Sequence, residues 1–168
     1  MKIFARPPAF TYKKNHLQAD NIPVAHLAEK YGTPLYVYSA SAIRERFRTF
    51  DAAFKRAAHT VCYSVKANSN LSLLKMLAKL GSGFDVVSGG ELERVLYVSR
   101  KAAEKVVFSG VGKTAAEIDA ALKANILIFN VERRRCLAIK SSPARNVITR
   151  RYRNKTLQRA SSRTSQET

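Results

Sequence analysis

Cysteine occurs only at Cys62 and Cys136, a separation that matches no zinc or redox spacing, so neither a metal site nor a disulfide scaffold is expected. Cys62, between Val61 and Tyr63, is expected to be a small core residue. The histidines His16, His26 and His59 form no cluster with carboxylates or cysteines, and metal chemistry is not expected at any of them. No apolar run approaches the roughly 20 residues of a membrane span. Met1 to Pro8 lacks the apolar stretch of roughly 7 to 15 residues that a secretory signal requires, and a cytoplasmic protein is the default. Glycine, too, is missing where two nucleotide motifs would need it. Gly110-Val-Gly-Lys-Thr114 has the form of a phosphate-loop end, but Val107 stands at the position of that loop's first glycine. Gly81-Ser-Gly83 would need a glycine at Val86 to make a dinucleotide fingerprint.

Acidic residues are scarce as well, 12 against 30 Lys and Arg, for a formal charge of +18. The excess is uneven. Residues 133–168 hold 11 basic residues and one acid, Glu167, which places a break in composition at Arg133. With 46% hydrophobic and 25% charged residues, the chain as a whole has the composition of a globular protein of one domain.

Regular elements are readable between residues 21 and 132. A helix is expected from Pro23 to Tyr31, stopped by Gly32, and a short strand at Leu35–Tyr38. From Ser41 to about Ala57, Ile43, Phe47, Phe50 and Phe54 recur at helical spacing and form a core stripe. A repeated unit follows: Val61 to Val65 leads into a helix Leu71–Leu80, Phe84 to Val87 into Glu91–Val98, and Val106 to Phe108 into Ala115–Ala124, with a further strand at Ile126–Val131. Ser88-x-x-Glu91 and Thr114-x-x-Glu117 are capping boxes. Strands alternating with helices about every 20 residues indicate a parallel α/β sheet. Four such strands make the first half of a TIM-type (β/α)8 barrel, which needs roughly 250 residues when complete.

Val61-Cys-Tyr-Ser-Val-Lys-Ala-Asn68 puts Lys66 at the carboxyl end of the first barrel strand, the end at which such barrels build active sites. A lysine pointing from there into a largely apolar cavity is suited to forming a Schiff base. The ordinary reading of a lone lysine at a strand end is a side chain that reaches water.

The words around Lys66 carry more. Tyr31-Gly-Thr-Pro-Leu-Tyr-Val-Tyr38, Tyr63-Ser-Val-Lys66-Ala-Asn-Ser-Asn70, Gly83-Phe-Asp-Val-Val-Ser-Gly-Gly-Glu-Leu92, Phe108-Ser-Gly-Val-Gly-Lys-Thr114 and Phe129-Asn-Val-Glu132 resemble, in order and spacing, successive motifs of the diaminopimelate decarboxylase family. Alanine racemases and ornithine and arginine decarboxylases share the barrel type and a comparable lysine strand. Asn68-Ser-Asn70 and the Ser-Gly-Gly-Glu-Leu run of residues 88–92 favour the diaminopimelate branch.

This resemblance implies pyridoxal 5'-phosphate as cofactor, Lys66 as the catalytic lysine that holds it, Ser64 and Asp85 beside the lysine and cofactor, and decarboxylation of meso-diaminopimelate to L-lysine. It also implies a homodimer for the full-length enzyme. The family's glycine-rich phosphate loop, stacked histidine, acidic partner of the ring nitrogen and C-terminal β-domain have no counterpart in this sequence. The expected organisation is therefore an N-terminal segment (1–20), a partial pyridoxal-phosphate-binding barrel domain (21–132) and a basic, disordered tail (133–168).

Because the resemblance stops within a motif, the expectation is a truncated or frame-shifted fragment without activity of its own. The alternatives are a fragment of another pyridoxal-phosphate barrel decarboxylase or racemase, a subunit that pairs with an intact decarboxylase, and a nucleic-acid-binding remnant. The last would use Arg133-Arg-Arg135 and Thr149-Arg-Arg-Tyr-Arg153 on phosphates. Nucleic acid is not the expected partner; a small amino acid is.

Overall fold

The computed structural model describes residues 9–131 and the short strand 147–149. Its first element is one that periodicity does not reveal. Strands β1 (Phe10–Lys13), β2 (His16–Ala19) and β3 (Ile22–Pro23) form a three-stranded antiparallel sheet inside the stretch read above as an uncertain N-terminal segment. Two two-residue loops close it. Lys14 and Asn15 have φ of 49° and 62°, and Asp20 and Asn21 have 49° and 70°. Positive φ at both loop residues matches the right-handed twist of the flanking strands, and Asn and Asp tolerate it better than most residues.

Helix α1 (Val24–Tyr31) ends at Gly32, whose φ of 79° stops the helix as expected. Leu35–Tyr38 is not a strand: among the described residues it has no ladder partner, and Leu35, Tyr36 and Tyr38 are exposed. Apolar alternation alone did not give it a neighbour to pair with. Helix α2 (Ala40–Ala53) ends before Ala57. Ile43 and Phe47 pack on the core, but Phe50 and Phe54 are exposed and meet each other at 5.2 Å between ring centroids. Only the first half of the expected stripe is therefore core.

Asp20 fastens the small sheet to α2. Its carboxylate accepts Ser39 Oγ at 2.7 Å, the Ser41 amide at 3.2 Å and the Ser41 hydroxyl, while Ser39 Oγ caps α2 by accepting the Ala42 amide. These hydroxyls, Ser41's first and then Ser39's, hold the Asp20 carboxyl below its usual range.

The main sheet is parallel throughout, in the order β4 (Cys62–Ser64), β5 (Gly83–Val86), β6 (Val106–Phe108), β7 (Ile128–Val131) and β8 (Val147–Thr149). Helices α3 (Leu71–Lys79), α4 (Gly89–Val98) and α5 (Ala115–Lys123) connect the first four strands, and a 3-10 segment at Arg100–Lys105 precedes β6. Residues one apart on a strand face opposite sides. Phe84, Val86, Val106, Phe108 and Phe129 are buried with Leu73, Leu74 and Leu77 of α3 and Leu92 and Val95 of α4. Burying each large side chain is worth about 1.5–3 kcal/mol. Phe108 and Phe129 stack at 6.0 Å.

Strand β8 lies within the segment expected to carry no regular structure, so that expectation fails at Val147–Thr149, where residues 129–131 supply a parallel ladder partner. Three β-favouring residues gain backbone hydrogen bonds that composition could not announce. The side of β7 turned away from β6 is therefore paired along residues 129–131. The rest of 133–168, with both arginine clusters apart from Thr149, lies outside the described residues. This architecture is the opening part of a (β/α)8 barrel, five parallel strands with helices between the first four. Among the described residues, no helix is long and apolar enough to cross a membrane.

Candidate functional site

The strands end in a regular way. Tyr63-Ser64, Phe84-Asp85, Phe108-Ser109 and Phe129-Asn130 each place an aromatic residue followed by a small polar one within two residues of the carboxyl end of β4, β5, β6 and β7. Phe84, Phe108 and Phe129 turn toward the helices and are fully buried; the polar residues turn to the opposite face, which a complete barrel would enclose.

On that face Asp85 is the centre of a hydrogen-bonded chain. Ser109 Oγ donates to Asp85 Oδ1 at 2.5 Å, Asn130 Nδ2 donates to Ser109 Oγ at 3.0 Å, and Ser64 Oγ donates to Asp85 Oδ2 at 3.4 Å. The Ser64 bond is at the long, weak end of the range. Asp85 lies opposite Ser64 in the ladder but reaches Ser109 diagonally, because Phe108 pairs with Val86.

Lys66 sits two residues beyond β4, on a 3-10 turn at Val65–Ala67. Its side chain is exposed, and among the described residues it makes no hydrogen bond or ion pair, so it does not point into an enclosed apolar cavity. The reason is geometric: five strands leave the inner face open. The structure thus joins Ser64 to Asp85 and leaves Lys66 beside them without a bond to either.

The turn carrying Lys66 is built by its own motif. Tyr63 Oη donates to the Asn68 carbonyl at 3.1 Å, Asn68 Oδ1 accepts the Asn70 amide at 2.9 Å, and Asn70 Oδ1 caps α3 by accepting the Ser72 and Leu73 amides. Burial pushes the Tyr63 phenol up, and Tyr38 adds to the shift. The phenol therefore stays protonated and keeps donating.

Asp85 is carried by an equally determined turn. Glu91 accepts the Val87 amide at 2.8 Å and Ser88 Oγ accepts the Glu91 amide, so the first expected capping box closes on Val87 rather than on the amide of Ser88. The second box, Thr114 with Glu117, is complete. Glu117 also accepts the Gly89 amide. At the next strand end, Lys113 Nζ donates to the carbonyl of Asn130 at 2.8 Å and to that of Gly110, holding the ends of β6 and β7 together.

Cys62 is half-buried on the open face rather than in the core, and burial, then the charge of Asp85, push its thiol up, which makes it a poor nucleophile. Among the described residues no group of three metal-binding side chains occurs.

The sequence singles out Lys66, Ser64 and Asp85; the structure adds Ser109 and Asn130 to the hydrogen-bonded chain at Asp85, and Tyr63 and Lys113 to the turns beside it. The recurrence of aromatic-then-polar at successive strand ends was the available signal for Ser109 and Asn130.

Residues 40–167 match the family described as pyridoxal-dependent decarboxylase, pyridoxal binding domain. The diaminopimelate decarboxylase of Haemophilus influenzae is 53% identical over 123 residues, 73% of this chain and 29% of that one. That of Neisseria meningitidis serogroup A is 55% identical over 116 residues, 69% of this chain and 28% of that one. The crystal structure of diaminopimelate decarboxylase from M. jannaschii in co-complex with L-lysine superposes with a TM-score of 0.73 at 39% identity, over 79% of this chain and 32% of that one. The chain spans a little under a third of the length of these relatives.

Proposed function

Because this chain belongs to the pyridoxal-dependent decarboxylase family through its pyridoxal-binding domain, we propose that it carries the cofactor-lysine strand of a diaminopimelate decarboxylase, with Lys66 as the residue that holds pyridoxal phosphate. The observation that carries this reading is the exposed amine of Lys66 following the same strand end as the Ser64–Asp85–Ser109–Asn130 chain. The donor set suits the aldehyde end of the cofactor: one primary amine without a partner among the described residues, and one carboxylate held by two hydroxyls. When bound, pyridoxal phosphate supplies an electron sink for the pair left by a departing carboxylate.

The chain's residues do the rest of the work assigned here. Lys66 provides the attachment amine. Ser109 and Ser64 donate to Asp85 and hold its carboxylate in a fixed orientation on the open face, as an acceptor for the protonated amine of a substrate. Asn130 fixes the Ser109 hydroxyl so that its proton points at Asp85. Tyr63 and Asn68 hold the turn on which Lys66 sits.

The substrate class is a small amino acid, meso-diaminopimelate, yielding L-lysine, and the relatives' names support that choice. A homodimer for the full-length enzyme, a cytoplasmic location and the absence of a selected nucleic-acid function belong to the same reading. The test incubates the 168-residue chain with pyridoxal phosphate, reduces with borohydride and maps the labelled peptide. Label concentrated on Lys66, and lost in Lys66→Ala, is expected. Label spread evenly over surface lysines would refute the assignment.

A further inference from the structure

On the outer side of the molecule, α2 and α3 flank a cavity of about 470 Å³ that has no part in the site above. Arg44 and Arg48 line it from α2, and Lys75 and Lys79 from α3, each pair spaced by four residues. Met76 and Leu80, both half-buried, supply the apolar portion of the lining. None of the four cations has a carboxylate within ion-pair distance among the described residues, whose ion pairs join His59 to Asp51 and Lys123 to Asp119. Arg44 makes one hydrogen bond, from Nε to the Ala40 carbonyl of its own helix. Four like charges facing one concavity raise its potential, and an anionic occupant relieves it.

We propose that this groove docks an acidic amphipathic helix of a partner protein. Four residues of helix rise about 6 Å, so the two cation pairs match acids placed one turn apart on an opposing helix. The apolar side chains between the pairs suit that helix's apolar stripe, and methionine adapts its shape to such surfaces. Single-stranded nucleic acid fits less well, because no aromatic side chain lines the groove for bases to stack on. A second copy of this chain fits no better, since none of the described helices carries two acids four residues apart.

The test titrates the full chain with a labelled synthetic helical peptide bearing glutamates one turn apart beside a leucine stripe. The comparisons are a scrambled peptide of equal composition and a single-stranded oligonucleotide of equal charge. The intact register is expected to bind at least about tenfold tighter than the scramble. The double variant Arg48→Glu, Lys75→Glu is expected to lose that binding, while Arg100→Glu, Lys101→Glu, an equal change of charge elsewhere, retains it. If the reversed-charge variant does not fold, Arg48→Gln with Lys79→Gln, which leaves the core untouched, is expected to weaken binding about tenfold. Equal binding of the scramble, equal loss in the two charge-reversal variants, unchanged binding in the folded groove variant, or tighter binding of the oligonucleotide would overturn the proposal.

Discussion

Glu117 on α5 accepts the backbone amide of Gly89, the first residue of α4, at 2.7 Å, and with its second oxygen accepts the Thr114 amide at 2.8 Å. One carboxylate thereby satisfies an orphan donor at the start of each of two helices. These backbone amides, Thr114's first, hold its carboxyl below the usual range.

Glu117→Gln should therefore lower stability by about 1 kcal/mol at neutral pH, a figure kept small because solvent screens a partly exposed group. The folded-state pKa is depressed, so the stabilisation is present above the unfolded value of about 4.3 and is lost as pH falls through the folded value. Urea unfolding of both proteins across pH 3 to 7 should give curves that converge at the acid end. A gap that persists at the lowest pH would show that shape rather than charge matters at this position.

Gly110 follows β6 with a φ of 86°, and a Cβ placed there would stand 2.8 Å from the Val87 carbonyl oxygen. Backbone, not a movable side-chain end, is the obstacle. Gly110→Ala should cost about 2 kcal/mol or more. Gly112→Ala, two residues on, meets nothing within 4 Å and should stay within about 0.5 kcal/mol of the parent. Thermal melts of the pair are the measurement, and equal midpoints would contradict the geometry.

Much of this fold was legible because the helices from Leu71 onward pack on the sheet, so Leu73, Leu77, Leu92 and Val95 had to recur at helical spacing. The small N-terminal sheet was not legible by periodicity. Its strands are short and mostly exposed, and the signal lay in Lys14-Asn15 and Asp20-Asn21, two loops too brief to register as a composition change. Strand β8 was hidden for a different reason: its pairing depends on a partner 18 residues upstream, a non-local contact that three residues cannot encode. At the site, Lys66 and Asp85 stood out by charge, whereas Ser109 and Asn130 are ordinary residues that acquire meaning when the strands are set side by side.

Tyr63 anchors the Lys66 turn through one hydrogen bond to the Asn68 carbonyl. Tyr63→Phe keeps the ring in place against the core and deletes that bond, so the global loss should be about 1 kcal/mol. The local loss should be larger. Hydrogen exchange at residues 66–70 is expected to accelerate more than at β5, because a turn loses protection by opening without the sheet. Uniform acceleration over both segments would mean that the phenol supports the whole domain and not the turn.

The 168-residue polypeptide should not release carbon dioxide from diaminopimelate at a rate approaching that of its relatives, even when supplied with pyridoxal phosphate. Its described residues offer Lys66, the proposed attachment lysine, and an oriented carboxylate on an open face, and Lys66 stands in water. Electrostatic stabilisation of a departing carboxylate depends on donors fixed in a site that excludes water, and groups that act as a unit lose most of their effect when part of the unit is missing. The stretch aligned to this chain makes up less than a third of each relative's length. Labelled diaminopimelate, the purified chain, added cofactor and an intact relative as control make the assay, and turnover more than roughly a thousandfold below the control is expected. Selective borohydride labelling of Lys66 in the same preparation would show that the chain had folded and that the deficit lies in the chemistry. Turnover within tenfold of the control would mean that the open face closes in solution, by association of chains or by a segment beyond those described.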